Sequence, residues 1–421
     1  MRSRFLPAVM AVVALAMVCA SCSGGPAAPT PPAATPLSTA SIVAPASLTP
    51  LPAGSVPGCS TATGPAPRAS GVHPAMVQVP GNPFGVVITG DGHWAFVALG
   101  GSVGVFRLGT AAPALVRQIA VPGRALGETL TSDGRYLLVA DGAGGADVIS
   151  LSRAEQGAAR AVIGVLGPGQ PAGGAIEVAA SPDGRFVFVT LETQDRAAVF
   201  SLARALATGF GPGDLVGYIP LGVAPVGMAV SPDGRWLYAT SELTRGGQPG
   251  VSPGRPGGLG TLSVIDLSRA ETQPAASVVA TVAAGCSPVR VVTSADGSQV
   301  WVTARGSDDL LCFSATLLRT RPSRALAARV RVGEAPVGLA LVRNGSRVVV
   351  ADSNRFGAAG ATSGLAVVSV PAALAGRPAL LGLVPAGQFP REMAVAPDGR
   401  TLLAGNFGSG QLEEVEVASL P

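Results

Sequence analysis

The chain has 421 residues, 48% of them hydrophobic but only 4% aromatic and 13% charged, with 57 Gly and 37 Pro. That mixture suits many short strands joined by tight turns and suits long helices poorly. All 29 basic residues are Arg, set against 25 acids and two His: the lack of Lys excludes Schiff-base chemistry and a P-loop, the absence of a basic run argues against a nucleic-acid partner, and two His without a CxxC pair argue against zinc or haem.

Arg2 and Arg4 precede an apolar run over 5–18, the layout of a signal peptide and too short to span a bilayer. The next residues read Cys19-Ala20-Ser21-Cys22-Ser23-Gly24-Gly25. They resemble the lipobox of bacterial lipoproteins, in which small residues precede a Cys that is diacylated after cleavage; Cys19 stands where Leu is usual. The resemblance implies a signal peptide over 1–21, a lipid on Cys22, and an exported chain whose only contact with the membrane is that anchor, two acyl chains being enough for stable attachment. Plain secretion, with cleavage near Ala20 or Ser21, is the other reading. Residues 22–70 are rich in Pro, Ala, Ser, Thr and Gly with one charge, Arg68, which predicts a disordered tether. With Cys22 lipidated, Cys59, Cys286 and Cys312 remain, and an odd count leaves at least one free thiol or an intermolecular bond.

From residue 71 the chain repeats. An Asp-Gly or Asn-Gly pair recurs at Asp91, Asp133, Asp183, Asp233, Asp296, Asn344 and Asp398. Such pairs favour the primed turns that join antiparallel strands. A short apolar strand precedes each turn (Val226 to Val230) and another follows (Arg235 to Thr240). A third comes after a variable loop (Thr261 to Leu267), and a fourth closes the unit (Ala328 to Gly333). Seven such units over 71–421 predict an all-β, seven-bladed β-propeller of four-stranded antiparallel blades. Weak alternation within the strands fits sheets covered on both faces. The lone strand from Pro74 to Val79 precedes the first unit and the last unit stops after its third strand, so the N-terminal strand is expected to complete the last blade and remove its open edge.

The run Pro225-Val226-Gly227-Met228-Ala229-Val230-Ser231-Pro232-Asp233-Gly234-Arg235-Trp236-Leu237-Tyr238, repeated at 336–350 and 390–403, resembles the YVTN family of propeller repeats. Related propellers include surface-layer-like proteins and a lactonase-like group similar to 6-phosphogluconolactonase. In that group a Pro-Arg-His segment precedes a Pro-Asp-Gly turn. Here the matching segment is Pro390-Arg391-Glu392, with Glu in place of His.

In a propeller the turns occupy one face, while the loops from second to third strand, and from each blade to the next, share the other face with the channel mouth. The turn Asp residues are therefore structural first. Six residues before each turn residue stand Gly85, Gly127, Glu177, Gly227, Arg290, Gly338 and Glu392, positions that should ring the channel mouth. Glu177, Arg290 and Glu392, with neighbouring Arg391 and Glu128, form the candidate binding set, able to hold a cation, a sugar or a lactone carbonyl, or simply to pair with one another. Glu192, Glu242, Arg305, Asp352 and Asn406 are candidates on loops of the same face, and residues 242–260 form a long Gly/Pro loop, either a lid or surface slack. His73 and His93 belong to no Ser-His-Asp set. Two functions fit. One is a monomeric, surface-displayed binding module without a cofactor, whose partner is a protein, a glycan or a small ligand. The other, implied by the lactonase-like resemblance, is a lactone or ester hydrolase using Glu177, Glu392 and Arg290 or Arg391, with a divalent cation such as Ca²⁺.

Overall fold

Six of the seven turns share one construction. The Asp Oδ1 accepts the backbone N–H two residues on, as in Arg185 N–H to Asp183 at 3.0 Å and Arg400 N–H to Asp398 at 2.9 Å. In five of them a Ser or Thr hydroxyl two residues upstream also donates to the same carboxylate: Thr89, Thr131, Ser181, Ser231 and Ser294. Only the Gly is left-handed, with φ between 66° and 72° at Gly92, Gly134, Gly184, Gly234, Gly297 and Gly399. A primed turn of the Asn-Gly type needs positive φ at both central residues, so the expected primed turn gives way here to one fixed by the Asp side chain. The seventh differs: Arg343, Asn344 and Gly345 are all left-handed.

Around these turns the chain forms seven four-stranded antiparallel sheets in a ring. Blade 1 runs from Val86–Ile88 to Ala114–Ala125, blade 2 from Glu128–Leu130 to Val162–Leu166, and blade 3 from Ala175–Ala180 to Leu215–Pro220. Blade 4 runs from Val223–Val230 to Val278–Cys286, blade 5 from Pro288–Thr293 to Leu326–Arg331, and blade 6 from Pro336–Val342 to Leu380–Pro385. Blade 7 takes Pro390–Val395, Thr401–Asn406 and Gln411–Glu416 from the C-terminus and Ala75–Gln78 from the other end, in register Ala75 to Glu414 through Gln78 to Gln411. This computed structural model describes residues 67–421 apart from 110–111, 170–172, 247–252, 254–257 and 358–359, together with Leu48, Leu51, Gly58 and Cys59. All fall within Pro45–Pro421. The expected signal peptide over 1–21, Cys22 and most of the 242–260 loop lie outside the described residues.

Burial follows the wedge shape of a propeller. Second and third strands such as Tyr136–Ala140 and Ala146–Ser150 are buried along nearly their whole length, because neighbouring blades cover both faces. Outermost strands alternate instead, as in Ala114–Ala125 and Val278–Cys286. Blades splay apart at the rim, so one face of the outer strand meets water. Between third and fourth strands, five blades insert a short helix absent from the sequence reading: Leu151–Gln156, Leu202–Thr208, Leu267–Ala270, Ala315–Thr320 and Val370–Leu374. Four of these are N-capped by a side chain, from Ser201, Asp266, Ser314 and Ser369. Each buries a pair three residues apart, such as Leu267 and Ala270, against the blade.

Within the segment expected to be a disordered tether, Leu51, Cys59 and residues 67–69 touch the propeller. The Leu51 N–H donates to the Leu326 carbonyl on blade 5 at 2.7 Å, and its side chain packs on the core there. Cys59 forms a disulfide with Cys286 at the end of blade 4. Pro67 and Ala69 exchange backbone hydrogen bonds with Leu383 on the rim of blade 6, at 2.7 and 2.9 Å. Composition could not reveal this, because the attachment uses backbone groups and one thiol rather than a run of apolar side chains. Cys312 is the remaining thiol among the described residues, and it is buried.

Candidate functional site

From Gly127 to Glu392 the ring positions alternate between glycine and charge for a packing reason. Inner strands converge at the channel, and a Cβ on Gly127 would lie 2.5 Å from Glu177 Oε1. One on Gly227 would meet the Val289 carbonyl at 2.4 Å, and one on Gly338 would meet the Arg391 carbonyl at 1.7 Å. Each charged residue of the ring thus follows a glycine on the preceding blade. Behind the ring, a Thr on the second strand, thirteen positions downstream, accepts the ring residue's N–H in three blades: Thr190 for Glu177, Thr240 for Gly227 and Thr303 for Arg290. That spacing is visible in the sequence and was a usable signal.

The structure brings Glu177, Arg290 and Glu392 together from blades 3, 5 and 7. Arg290 Nε pairs with Glu392 Oε1 in a short charge-assisted hydrogen bond and lies 3.4 Å from Glu177 Oε2. Its Nη1 donates to the Val289 carbonyl at 3.0 Å. Burial alone would lower the guanidinium's pKa, but the two carboxylates outweigh it and leave it raised. Burial pushes the Glu177 carboxyl up to about 8, against the pull of Arg290 and with the help of Glu392.

Arg391 points elsewhere. Its guanidinium stacks 3.8 Å from the Phe84 ring centre and within 5.5 Å of those of Phe389 and Phe407. Burial first and Arg290 second pull its pKa down to about 9. This aromatic cluster, in which Phe407 meets Phe84 and Phe389 edge-on, was missed by the sequence reading, since its members come from three separate loops. Glu128 lies one residue past the ring in blade 2, 7% exposed. Neither of its oxygens has a hydrogen-bond partner. Glu128, Glu177 and Glu392 line a cavity of about 400 Å³ walled by Val86–Ile88, Leu130 and Met393–Val395. Because the inner strands run from ring to turn, this cavity lies on the turn side of the ring.

The loop candidates divide. Glu242 and Arg305 form a buried ion pair at 2.7 Å between blades 4 and 5. Asp352 is fully buried and accepts the Gly333 N–H at 2.9 Å, and Asn406 is fully buried with its Nδ2 on Glu413 at 2.8 Å. In this structure these four are buried and engaged with neighbouring blades and loops. Glu192 stays half-buried near the mouth, its pKa raised by burial and then by Glu242, with Arg305, Arg355 and Arg391 opposing. Among the described residues no cluster of three or more His, Cys, Asp or Glu side chains is arranged to hold a metal ion. No described helix is long and apolar enough to cross a membrane.

No protein-family model matches the chain, and no curated protein sequence matches it. Solved structures do. A chain of the Kuenenia stuttgartiensis hydrazine synthase superposes with a TM-score of 0.62 at 18% identity, over 83% of this chain and 99% of that one. A chain of the mitotic checkpoint complex superposes with a TM-score of 0.62 at 12% identity, over 85% of this chain and 96% of that one. At such identities the likeness concerns the fold, and the fold it establishes is the β-propeller, a scaffold that carries many functions.

Proposed function

We propose that the protein is a non-catalytic binding propeller, displayed on the outer face of a cell membrane by a lipid on Cys22, that presents its channel face to a protein, a glycan or a small ligand. The observation that carries the non-catalytic part is the placement of Arg290 between Glu177 and Glu392. A carboxylate that serves as base or nucleophile must be free to meet substrate. Both sit against the Arg290 guanidinium, and the contacts they make there tie blades 3, 5 and 7 together.

The competing hydrolase reading draws on one observation: Glu177, with its pKa near 8, carries a proton at neutral pH and has the protonation state of a general acid. A panel of lactones and esters, assayed with and without Ca²⁺ on the wild type, Glu177→Gln and Glu392→Gln, separates the two. Equal background rates in all three are expected. Hydrolysis by the wild type that disappears in either variant overturns the binding reading. For the anchor, Cys22→Ser is expected to move the protein from the membrane fraction to the medium, and retention at the membrane refutes lipidation.

A further inference from the structure

The channel cavity holds a buried carboxyl that no hydrogen bond in the fold answers. Arg290 pairs with Glu177 and Glu392 but makes no ion pair with Glu128, whose two oxygens are buried and unpartnered. The backbone N–H that acts on it, that of Ala98, already serves the Gly85 carbonyl at 3.0 Å. Such a group is costly to leave unmet. The space for it is also built. A Cβ on Gly85 would lie 2.8 Å from Glu128 Cγ, and one on Gly127 would lie 2.5 Å from Glu177 Oε1, so glycine at two successive ring positions admits the two carboxylates side by side. Beyond them the walls are aliphatic: Val86, Ile88, Leu130, Met393 and Val395.

We propose that this cavity binds a small primary ammonium with an aliphatic body, its –NH₃⁺ held by Glu128 and Glu177 and its chain laid against the apolar wall on the turn side. The inference rests on the binding reading and goes beyond it, naming a ligand class for the turn side of the ring. Glu128, with no guanidinium paired to it, and Glu177, which shares Arg290 with Glu392, favour a cationic donor over a neutral or anionic guest. A hard metal ion is the poorer fit. Calcium takes about six to eight oxygens, whereas Arg290 already occupies two of the three carboxylates and the rest of the wall is hydrocarbon. An ammonium has three donors, enough for Glu128 and Glu177. A volume of about 400 Å³ accommodates a short alkyl chain.

The charge balance adds a signature. In the empty cavity, burial and then the charge of Glu177 push the Glu128 pKa well up, and Glu177 itself stands near 8. The other groups facing the pair are Glu392, Arg290 and Arg391, and none supplies a free cation beside Glu128. An entering ammonium therefore displaces protons from the carboxyls, and affinity rises with pH until the amine itself begins to titrate, at about pH 10.

The test is calorimetric titration of the mature full-length protein with n-hexylamine hydrochloride, using 1-hexanol as the neutral isostere and CaCl₂ as the hard cation. Saturable hexylammonium binding is expected, at least about tenfold weaker in Glu128→Gln and about tenfold weaker for hexanol on the wild type. Binding measured in two buffers of different ionisation heat should show proton release at about pH 7, a readout on the wild type that stands even if the variant fails to fold. Hexanol binding as tightly as the amine, CaCl₂ binding more tightly, an unchanged affinity in a folded Glu128→Gln, or no proton release overturns the inference. Absence of hexylammonium binding overturns it alone, whereas Glu177-dependent hydrolysis in the lactone panel overturns the reading beneath it.

Discussion

The acids of the turn face and those of the channel and blade interior have the same chemistry and opposite behaviour. Asp91 is held below the ordinary carboxylate range by the Thr89 hydroxyl and the His93 N–H. At Asp133, Asp233 and Asp296 slight burial pushes the pKa up, but a Ser or Thr hydroxyl and a backbone N–H outweigh it and leave it lowered. Inside the blades burial wins. Asp147 rises to about 7 through burial and the nearby Asp141, Glu413 rises to about 7 through burial, and burial also raises Asp352 well above its ordinary value. The turn acids receive their donors from residues two positions away. The interior acids depend on whatever the neighbouring strands or blades bring to them, and the carboxyls of Glu128 and Asp147 make no hydrogen bond.

The largest expected effect breaks the channel side. Arg290→Met leaves Glu177 and Glu392 buried without their shared cation and should cost about 3 kcal/mol, read as a lowered denaturant midpoint with an unchanged slope. An unchanged midpoint would show that the ring does not brace the blades. Next comes the N-terminal segment. Cys59→Ser opens a covalent loop that spans 227 residues and should lower stability by roughly 2–4 kcal/mol in oxidising buffer, with no difference from wild type under reductant.

Asp147→Asn sharpens the comparison by changing sign. Because the folded pKa is raised, the folded state holds a proton that the unfolded chain releases, so stability declines as pH climbs from the ordinary carboxylate range to about 7. The amide should therefore stabilise the protein by on the order of 2 kcal/mol at about pH 8 and by almost nothing at about pH 4, measured by urea titration. Asp233→Ala is the counterpart on the turn face and the smallest effect. Its lowered pKa means that its contribution is fully present above the ordinary carboxylate range and is lost as pH falls through the folded value. A loss of about 1 kcal/mol at neutral pH, fading in acid, is expected. A larger loss at low pH than at high would contradict the turn assignment.

The comparison also explains how much was legible beforehand. The turns could be read because their hydrogen bonds run between residues two to five apart, as from Ser231 to Asp233 and Trp236. Seven of them spaced by about one blade sufficed for the propeller and for counting back to the ring. The closing strand could be read because two incomplete terminal units can satisfy one another, and Ala75–Gln78 does pair with Gln411–Glu416. The short helices were also written in the chain, as an N-cap residue followed by apolar residues three apart, but the strand pattern around them hid the signal. Glu242, Arg305, Asp352 and Asn406 sat on loops of the anticipated face, yet the sequence could not tell a polar group that caps a neighbouring loop from one that meets a ligand.

By itself, then, the sequence determined the repeat, the positions of the turns and the set of residues in the ring, because each depends on short-range spacing. The tertiary structure alone decided what those residues do. Arg290 and Glu392 are 102 positions apart and Cys59 and Cys286 are 227 apart, so their pairing depends on the ring closing with seven blades. The same closure buries Glu128 beside Glu177, where local sequence offers no counter-charge.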